Sequence, residues 1–302
     1  MDEERLKGYL RAGEINAKVL NLAASLVKGK KRINLLELCE RLEGEIRRLG
    51  GEPAFPCNIG VNEVAAHMSP LDGEVEYLPS EGLIKIDVGT RIGGYIADSA
   101  ITIPLSREYE EITKACREVL KAAIDYMRPG VKTGDVGRVI EEEAKARGFK
   151  TIRNLSGHLI SDYNLHAGKS IPNVHRRFTP KMEVGEVYAV EPFLTHQGAI
   201  GEVTEMDKRM IFQVVKIKKP KDKSLNKLYT RILEKTKRLP FSPRWFRDIS
   251  PPSKLIESLE ALRREGILYA YPVLVERSGG YVAQWEHTVI LSGGGTLITT
   301  KG

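Results

Sequence analysis

Two β-branched runs separated by Gly89-Thr90-Arg91-Ile92-Gly93-Gly94 restrict residues 84–103 to a strand, a tight loop and a returning strand. In Ile84-Lys85-Ile86-Asp87-Val88 the alternation puts Ile84, Ile86 and Val88 on one face and Lys85 and Asp87 on the other. The returning run from Tyr95 to Ile103 carries a second aspartate, Asp98. Closing the hairpin symmetrically about Ile92 and Gly93 sets Asp87 opposite Asp98, where paired Cβ atoms lie roughly 4.5–5.5 Å apart. Two carboxylates that close repel each other unless a proton or a cation sits between them. The pair reads as half of a site for a hard divalent cation. The plainer alternative is a surface hairpin with two solvated aspartates.

The bulk of the chain sets limits on the rest. A length of 302 residues with 41% hydrophobic content allows one large mixed domain or two smaller ones around a real core. No apolar run reaches the ~18 residues of a membrane span, and Met1-Asp2-Glu3-Glu4-Arg5 lacks the apolar centre of a signal peptide. Cys39, Cys57 and Cys116 are scattered and odd in number, which argues against a disulfide framework or a zinc knuckle. The expected location is the cytoplasm, with no membrane partner. Net charge is +7, yet residues 216–238 hold ten Lys and Arg against only Asp222 and Glu234, so the remainder is close to neutral. Any affinity for polyanions belongs to that segment. Abundant Lys, Arg and Glu beside three Gln lean towards a thermophilic composition.

In chain order, residues 3–27 suggest an amphipathic helix pair, and Asn34 with Glu37 resembles a capping box opening a helix through Arg48. The Pro-broken stretch from Pro53 to Pro70 fits no regular element, and its His67 is either a packed core histidine or a functional one. Helices are predicted over Ser106–Met127 and Thr133–Arg147. His158 follows Gly157 and His166 lies two residues before Gly168, which suits a backbone that comes close to a ligand. Glu191 in Tyr188-Ala189-Val190-Glu191-Pro192-Phe193 and Glu286 in Gln284-Trp285-Glu286-His287 are costly to bury unless paired or metal-bound. Alternation shares one face among Gln284, Glu286 and Thr288. Between these strands lies a helical, Lys-rich texture from Lys216 to about Tyr271.

The ordered set Asp87, Asp98, Gly157-His158, Glu191 and Glu286 resembles the dinuclear site of the methionine aminopeptidases. Ala65-Ala66-His67, Ile86-Asp87-Val88-Gly89, His166-Ala167-Gly168 and Ala283-Gln284-Trp285-Glu286-His287-Thr288 are similar to the type II branch, archaeal and eukaryotic. One departure is minor: Met68-Ser69 follow His67 where an aromatic and Thr are more usual. The resemblance implies an α/β pita-bread fold, a curved antiparallel sheet with pseudo-twofold halves. Residues 1–200 and 272–302 would be its catalytic domain and 201–271 a helical, winged-helix-like insertion. It implies removal of the initiator methionine from nascent proteins, before a small second residue, by metal-activated hydroxide. Two divalent ions (Co, Mn, Fe or Zn) would be held by Asp87, Asp98, His158, Glu191 and Glu286, with Asp98 and Glu286 bridging. Four carboxylates and one imidazole suit such borderline-hard ions, and their charge balances two of them.

His67, His166 and Glu191 are then the catalytic candidates, Glu191 as proton acceptor and the histidines at the scissile amide and oxyanion. Phe55, Pro56 and Leu165, with the two histidines, are the candidates for substrate binding. The expected partners are polypeptide N-termini, with ribosomal RNA contacted through segment 216–238, and the chain is expected to be a monomer. Three rivals carry different expectations: a same-fold X-Pro peptidase, a non-catalytic nucleic-acid adaptor, and a winged-helix DNA module at 253–287. The last would carry Glu286 in its wing and lack a basic recognition face.

Overall fold

The computed structural model describes residues 1–29 and 32–301. Helix α1 (Glu3–Gly29) is one continuous helix rather than the expected pair. Its buried stripe through Ile15, Val19, Ala23 and Val27 runs without a proline or a cap to divide it. α2 (Leu35–Arg48) starts where the capping signal put it, Asn34 Oδ1 accepting from Glu37 N at 3.1 Å.

The Pro-broken stretch proves to be a strand, β1 (Glu52–Val61), followed by β2 (Val64–Ala66). β1 pairs antiparallel with β3 (Leu83–Ile92), placing Phe55 opposite Gly89 and Asn58 opposite Asp87. Pro56 and Cys57 therefore share the single partner position of Val88, which is a β-bulge. The bulge absorbs the proline and has a second effect. Phe55 and Asn58, three residues apart, come onto one face, that of Asp87. Glycine is needed at 89, because a Cβ there would stand 2.2 Å from the Phe55 ring.

β4 (Tyr95–Pro104) completes the hairpin, and its register corrects the symmetric closure. Ile92 pairs with Tyr95 around a two-residue turn in which Gly93 takes φ 57°, so Asp87 faces Ala100 and Asp98 faces Gly89. The two aspartates are diagonal neighbours instead of direct partners. They still share a face, because the slip moves the pairing by an even number of residues.

The second half repeats the plan of helices on a sheet. α3 (Glu110–Tyr126) and α4 (Thr133–Ala146) begin or end within a few residues of the predicted bounds, Arg107–Tyr109 being taken by a short 3₁₀ turn. They pack on a five-stranded antiparallel sheet. Its strands are β6 (Ser156–Ile160), β7 (Ser170–Pro172), β8 (Val187–Val190), β13 (His287–Ser292) and β14 (Gly295–Ile298). Smaller sheets join β5 (Phe149–Thr151) to β9 (Phe193–His196) and β12 (Val282–Gln284), and β2 to β11 (Leu268–Glu276) and β10 (Val203–Val214). Between β10 and β11 lie α5 (Asn226–Thr236) and α6 (Pro252–Arg264), which with Phe241 and Phe246 build a core of their own.

The halves meet where β4 lies beside β12 and β13. Glu286 N donates to Ala100 O at 2.9 Å, and the Thr288 hydroxyl accepts from Asp98 N and donates to Asp98 O, both at 2.7 Å. Thr102 Oγ1 donates to Gln284 O at 2.6 Å and accepts from Gln284 N at 2.8 Å. Lys85, only 1% exposed, donates to Asn62 O at 2.9 Å and Val282 O at 2.7 Å. Such bonds pair the buried backbone groups and the Lys85, Thr102 and Thr288 side chains along the seam. Among the described residues no helix is long and apolar enough to cross a membrane.

Candidate active site

The five candidate ligands arrive on five different pieces of backbone. Asp87 sits on β3, Asp98 on β4 and His158 on β6. Glu191 follows β8 where Pro192 ends it, and Glu286 occupies the break between β12 and β13. They converge. His158 Nε2 lies 3.6 Å from Asp98 Oδ2 and 3.4 Å from Glu191 Oε1, and Asp98, His158 and Glu286 offer ligand atoms all within 4.8 Å of one another. Asp98 and Glu286 are 3% and 1% exposed. Gln284 Nε2 donates to Glu286 Oε2 at 3.1 Å and reaches Glu191 Oε2 at 3.4 Å, which orients both carboxylates.

The electrostatics of this cluster are those of acids without a counter-ion. Burial, and then the charges of its neighbours, push the carboxyls of Asp87, Glu191 and Glu286 well above the usual range. Burial lifts Asp98 to about 7, although sharing protons with Glu286 and Asp87 pulls it the other way. The His158 imidazole is driven well down by burial and by His166, so it is neutral and able to offer a lone pair. Asp87 Oδ1, Asp98 Oδ1, Glu286 Oε1 and His158 Nδ1 are buried with no hydrogen-bond partner among the described residues. Orphaned carboxylate oxygens on Asp87, Asp98 and Glu286, with His158 Nε2 turned towards Asp98 and Glu191, fit divalent cations, and among the described residues no lysine or arginine pairs with these carboxylates.

A cleft opens onto the cluster. His67, His166, Phe55 and Leu165 all line it. Pro56, expected with them, does not; it is the bulge residue, turned away where β1 takes its extra step. Sequence reading missed Asn58, Phe193, Ile211, Pro240, Tyr271 and Gln284. Of these, Gln284 had a signal in its shared face with Glu286, and Asn58 becomes visible only once the bulge is known. A second opening, lined by Asn154, Ser156, Gly168 and Lys169, reaches the same His67, His166 and Glu191 from another side.

His67 is held in the left-handed region at φ 65°, a strained setting for any residue but glycine. Its Nδ1 lies 3.0 Å from Pro272 O, and burial lowers its pKa against that bond. A carbonyl can only accept, so the neutral ring carries its proton on Nδ1 and Nε2 remains an acceptor. Tyr271 packs edge-on against this ring at 5.1 Å. His166 stands 4.4 Å from the His158 ring, and burial followed by the influence of His67 pushes it down to about 4. His175 and His196 lie outside the cleft.

Buried carboxylates with a neutral imidazole beside a cleft define a divalent-metal hydrolase of the antiparallel, two-halved kind. Residues 7–292 match the family model described as Metallopeptidase family M24. The methionine aminopeptidase of Thermococcus kodakarensis is 42% identical over 302 residues, covering 99% of this chain and all of its own length. That of Pyrococcus horikoshii is 41% identical, with complete coverage of both chains. A crystal structure of methionine aminopeptidase from Thermotoga maritima superposes with a TM-score of 0.71 at 20% identity, covering 100% of this chain and 98% of that one. The chain belongs to metallopeptidase family M24, among its methionine aminopeptidases, and has that family's pita-bread fold.

Proposed function

We propose that this protein removes N-terminal methionine from polypeptides whose second residue is small. The observation that carries the reading is the meeting of two features in one cleft. Phe55, Leu165, Ile211 and Tyr271 line the cleft that holds the carboxylate cluster, here read as an apolar arm, and a second opening with Asn154, Ser156 and Lys169 reaches the same Glu191. A methionine side chain suits the first and a continuing backbone the second. Two divalent ions, Mn²⁺, Fe²⁺, Co²⁺ or Zn²⁺, would be held by Asp87, Asp98, His158, Glu191 and Glu286. Asp98 lies against both Asp87 and Glu286, which supports Asp98 and Glu286 as the shared ligands.

Such ions, when bound, lower the pKa of water and polarise the peptide carbonyl. The remaining steps fall to the chain. Glu191, whose carboxylate lines the cleft beside His158, is placed to accept a proton and return it to the leaving amine. His67 Nε2, an acceptor by tautomer, suits the N–H of the scissile bond, and a neutral His166 can donate to the developing oxyanion. The apolar arm separates side chains by only ~1–3 kcal/mol per methylene, so preference for Met is strong without being absolute. Met-Ala-Ser is expected to release methionine readily, Met-Lys-Ser poorly and Ala-Ala-Ser hardly at all, each only in metal-supplemented buffer. Equal cleavage of Ala-Ala-Ser, or a preference for X-Pro peptides, would overturn the reading.

The inserted unit, residues 201–271, is proposed to contact ribosomal RNA. Nine of the ten basic residues in 216–238 are exposed, Lys235 being half-buried with its Nζ 2.6 Å from Trp245 O. Phosphate contacts make binding fall steeply with salt. Lys218, Lys219, Lys221 and Lys223 changed together to Glu should abolish ribosome co-sedimentation and spare tripeptide cleavage. Undiminished co-sedimentation would refute RNA contact by this segment.

A further inference from the structure

A second buried charge cluster lies away from the metal ligands. Glu43 on α2 and Arg244, in the stretch after α5, are 3% and 2% exposed and form a forked pair. Arg244 Nη1 donates to Glu43 Oε2 at 3.1 Å and Nη2 to Oε1 at 2.8 Å. Trp245 Nε1 adds a bond to Glu43 Oε2 at 2.7 Å. No reacting group is in reach, and buried pairs of this kind seldom stabilise more than well-packed apolar residues would. What distinguishes this one is what its other atoms hold.

Glu43 Oε1 accepts from Cys57 N at 3.1 Å. Cys57 is a bulge residue of β1, and this bond fixes its amide on the helix side of the strand. The bulge is what turns Phe55 and Asn58 together into the cleft. Arg244 Nε donates to Pro70 O at 3.0 Å and Nη2 to Ser69 Oγ at 2.9 Å, anchoring the segment just after His67. That segment is tied back to β1 by Ile59 N donating to Met68 O at 2.7 Å. Pro240, four residues before Arg244, lines the cleft itself. One ion pair is therefore bonded to the bulge beside Phe55 and to the loop beside His67, and it anchors the helical insertion to both.

We propose that Glu43 and Arg244 are positioning residues for the methionine pocket, setting its width through the β1 bulge and the segment at 68–70 that is bonded to β1. This rests on the reading of the Phe55 arm as the methionine site. A guanidinium fork fixes direction as well as distance, which a lysine ammonium cannot do. The pair thus transmits the seating of the insertion into substrate selection.

The test uses metal-loaded protein carrying Glu43→Gln or Arg244→Lys. For Met-Ala-Ser, KM should rise roughly tenfold with kcat within about threefold, and the preference over Leu-Ala-Ser should fall roughly tenfold, as expected for a misplaced pocket wall. Metal content should stay at the wild-type level. A role confined to stability would lower the active fraction alone, leaving KM and the Met-to-Leu preference unchanged; that result overturns the proposal. Amide exchange supplies a reading independent of turnover. Both variants should exchange faster over residues 54–60 and 66–70 while α3 and α4 keep their protection, and unaltered exchange in those two spans also overturns it. If wild-type protein fails to favour Met-Ala-Ser, the functional reading falls, and the exchange measurement still decides whether the pair holds these segments.

Discussion

Asp98→Ala and Glu286→Ala are each expected to cut methionine release by at least about 10³-fold, because each removes a ligand shared by both proposed ions. The fold should survive the change, since the bonds that tie Asp98 and Glu286 into the seam are made by their backbone atoms. The metal-free protein offers a sharper signature. Its buried carboxyls bind protons more tightly than the unfolded chain does, whose acids titrate near 4. Stability of the metal-free form is therefore full below that value and declines as pH rises through about 7, the value of Asp98. Above that range Asp98→Ala relieves repulsion, so at pH 8 the metal-free variant should melt no lower than metal-free wild type. Adding Mn²⁺ should raise the wild-type melting temperature and hardly move the variant's. Wild-type activity in either variant would remove the metal site from the mechanism, and a much lower melting point at pH 8 would contradict the charge argument.

His67→Ala and His166→Ala should retain metal and lose roughly 10²–10⁴-fold in kcat each, the range for lost proton transfer or oxyanion contact. His175→Ala, exposed, and His196→Ala, half-buried on β9 but outside the cleft, should stay within about twofold in kcat, because neither reaches the site. His67 also carries backbone strain at φ 65°, so His67→Gly separates two effects. Glycine relaxes the strain and restores no imidazole, and it should match the rate loss of His67→Ala while melting higher. Loss of bound metal from His67→Ala, measured by elemental analysis, would instead make this residue a ligand.

Much of the proposed metal centre was legible in the sequence because its candidate carboxylates stand in apolar stretches, on or next to strands, where an acid stands out. Glu191 and Glu286 are conspicuous for that reason. The hairpin register was not legible, since Gly93 and Gly94 allow the turn to centre on either side of Gly93. The reading survived because facing depends on the parity of the slip. β1 was hidden by Pro53 and Pro56, and only the bulge shows how a strand accommodates the second of them. Tyr271, Ile211 and Pro240 were missed for a different reason. They approach the cleft along or beside β10 and β11, which leave the catalytic part of the chain and return to it about fifty residues later. Long-range pairing of that sort has no local signature.

The bonds across the seam also bear on the order in which this protein can be completed. A chain emerging N-terminus first presents Lys85, Asp87, Asp98 and Thr102 long before Val282, Gln284 and Thr288 exist to meet them. During that interval water must serve the lysine ammonium and the threonine hydroxyl, and the two aspartates lack the His158 and glutamate neighbours that complete the cluster. The catalytic cluster is thus assembled last. An enzyme whose proposed substrates are unfinished proteins is itself inactive until its chain has been made as far as Glu286 and the strand beyond it.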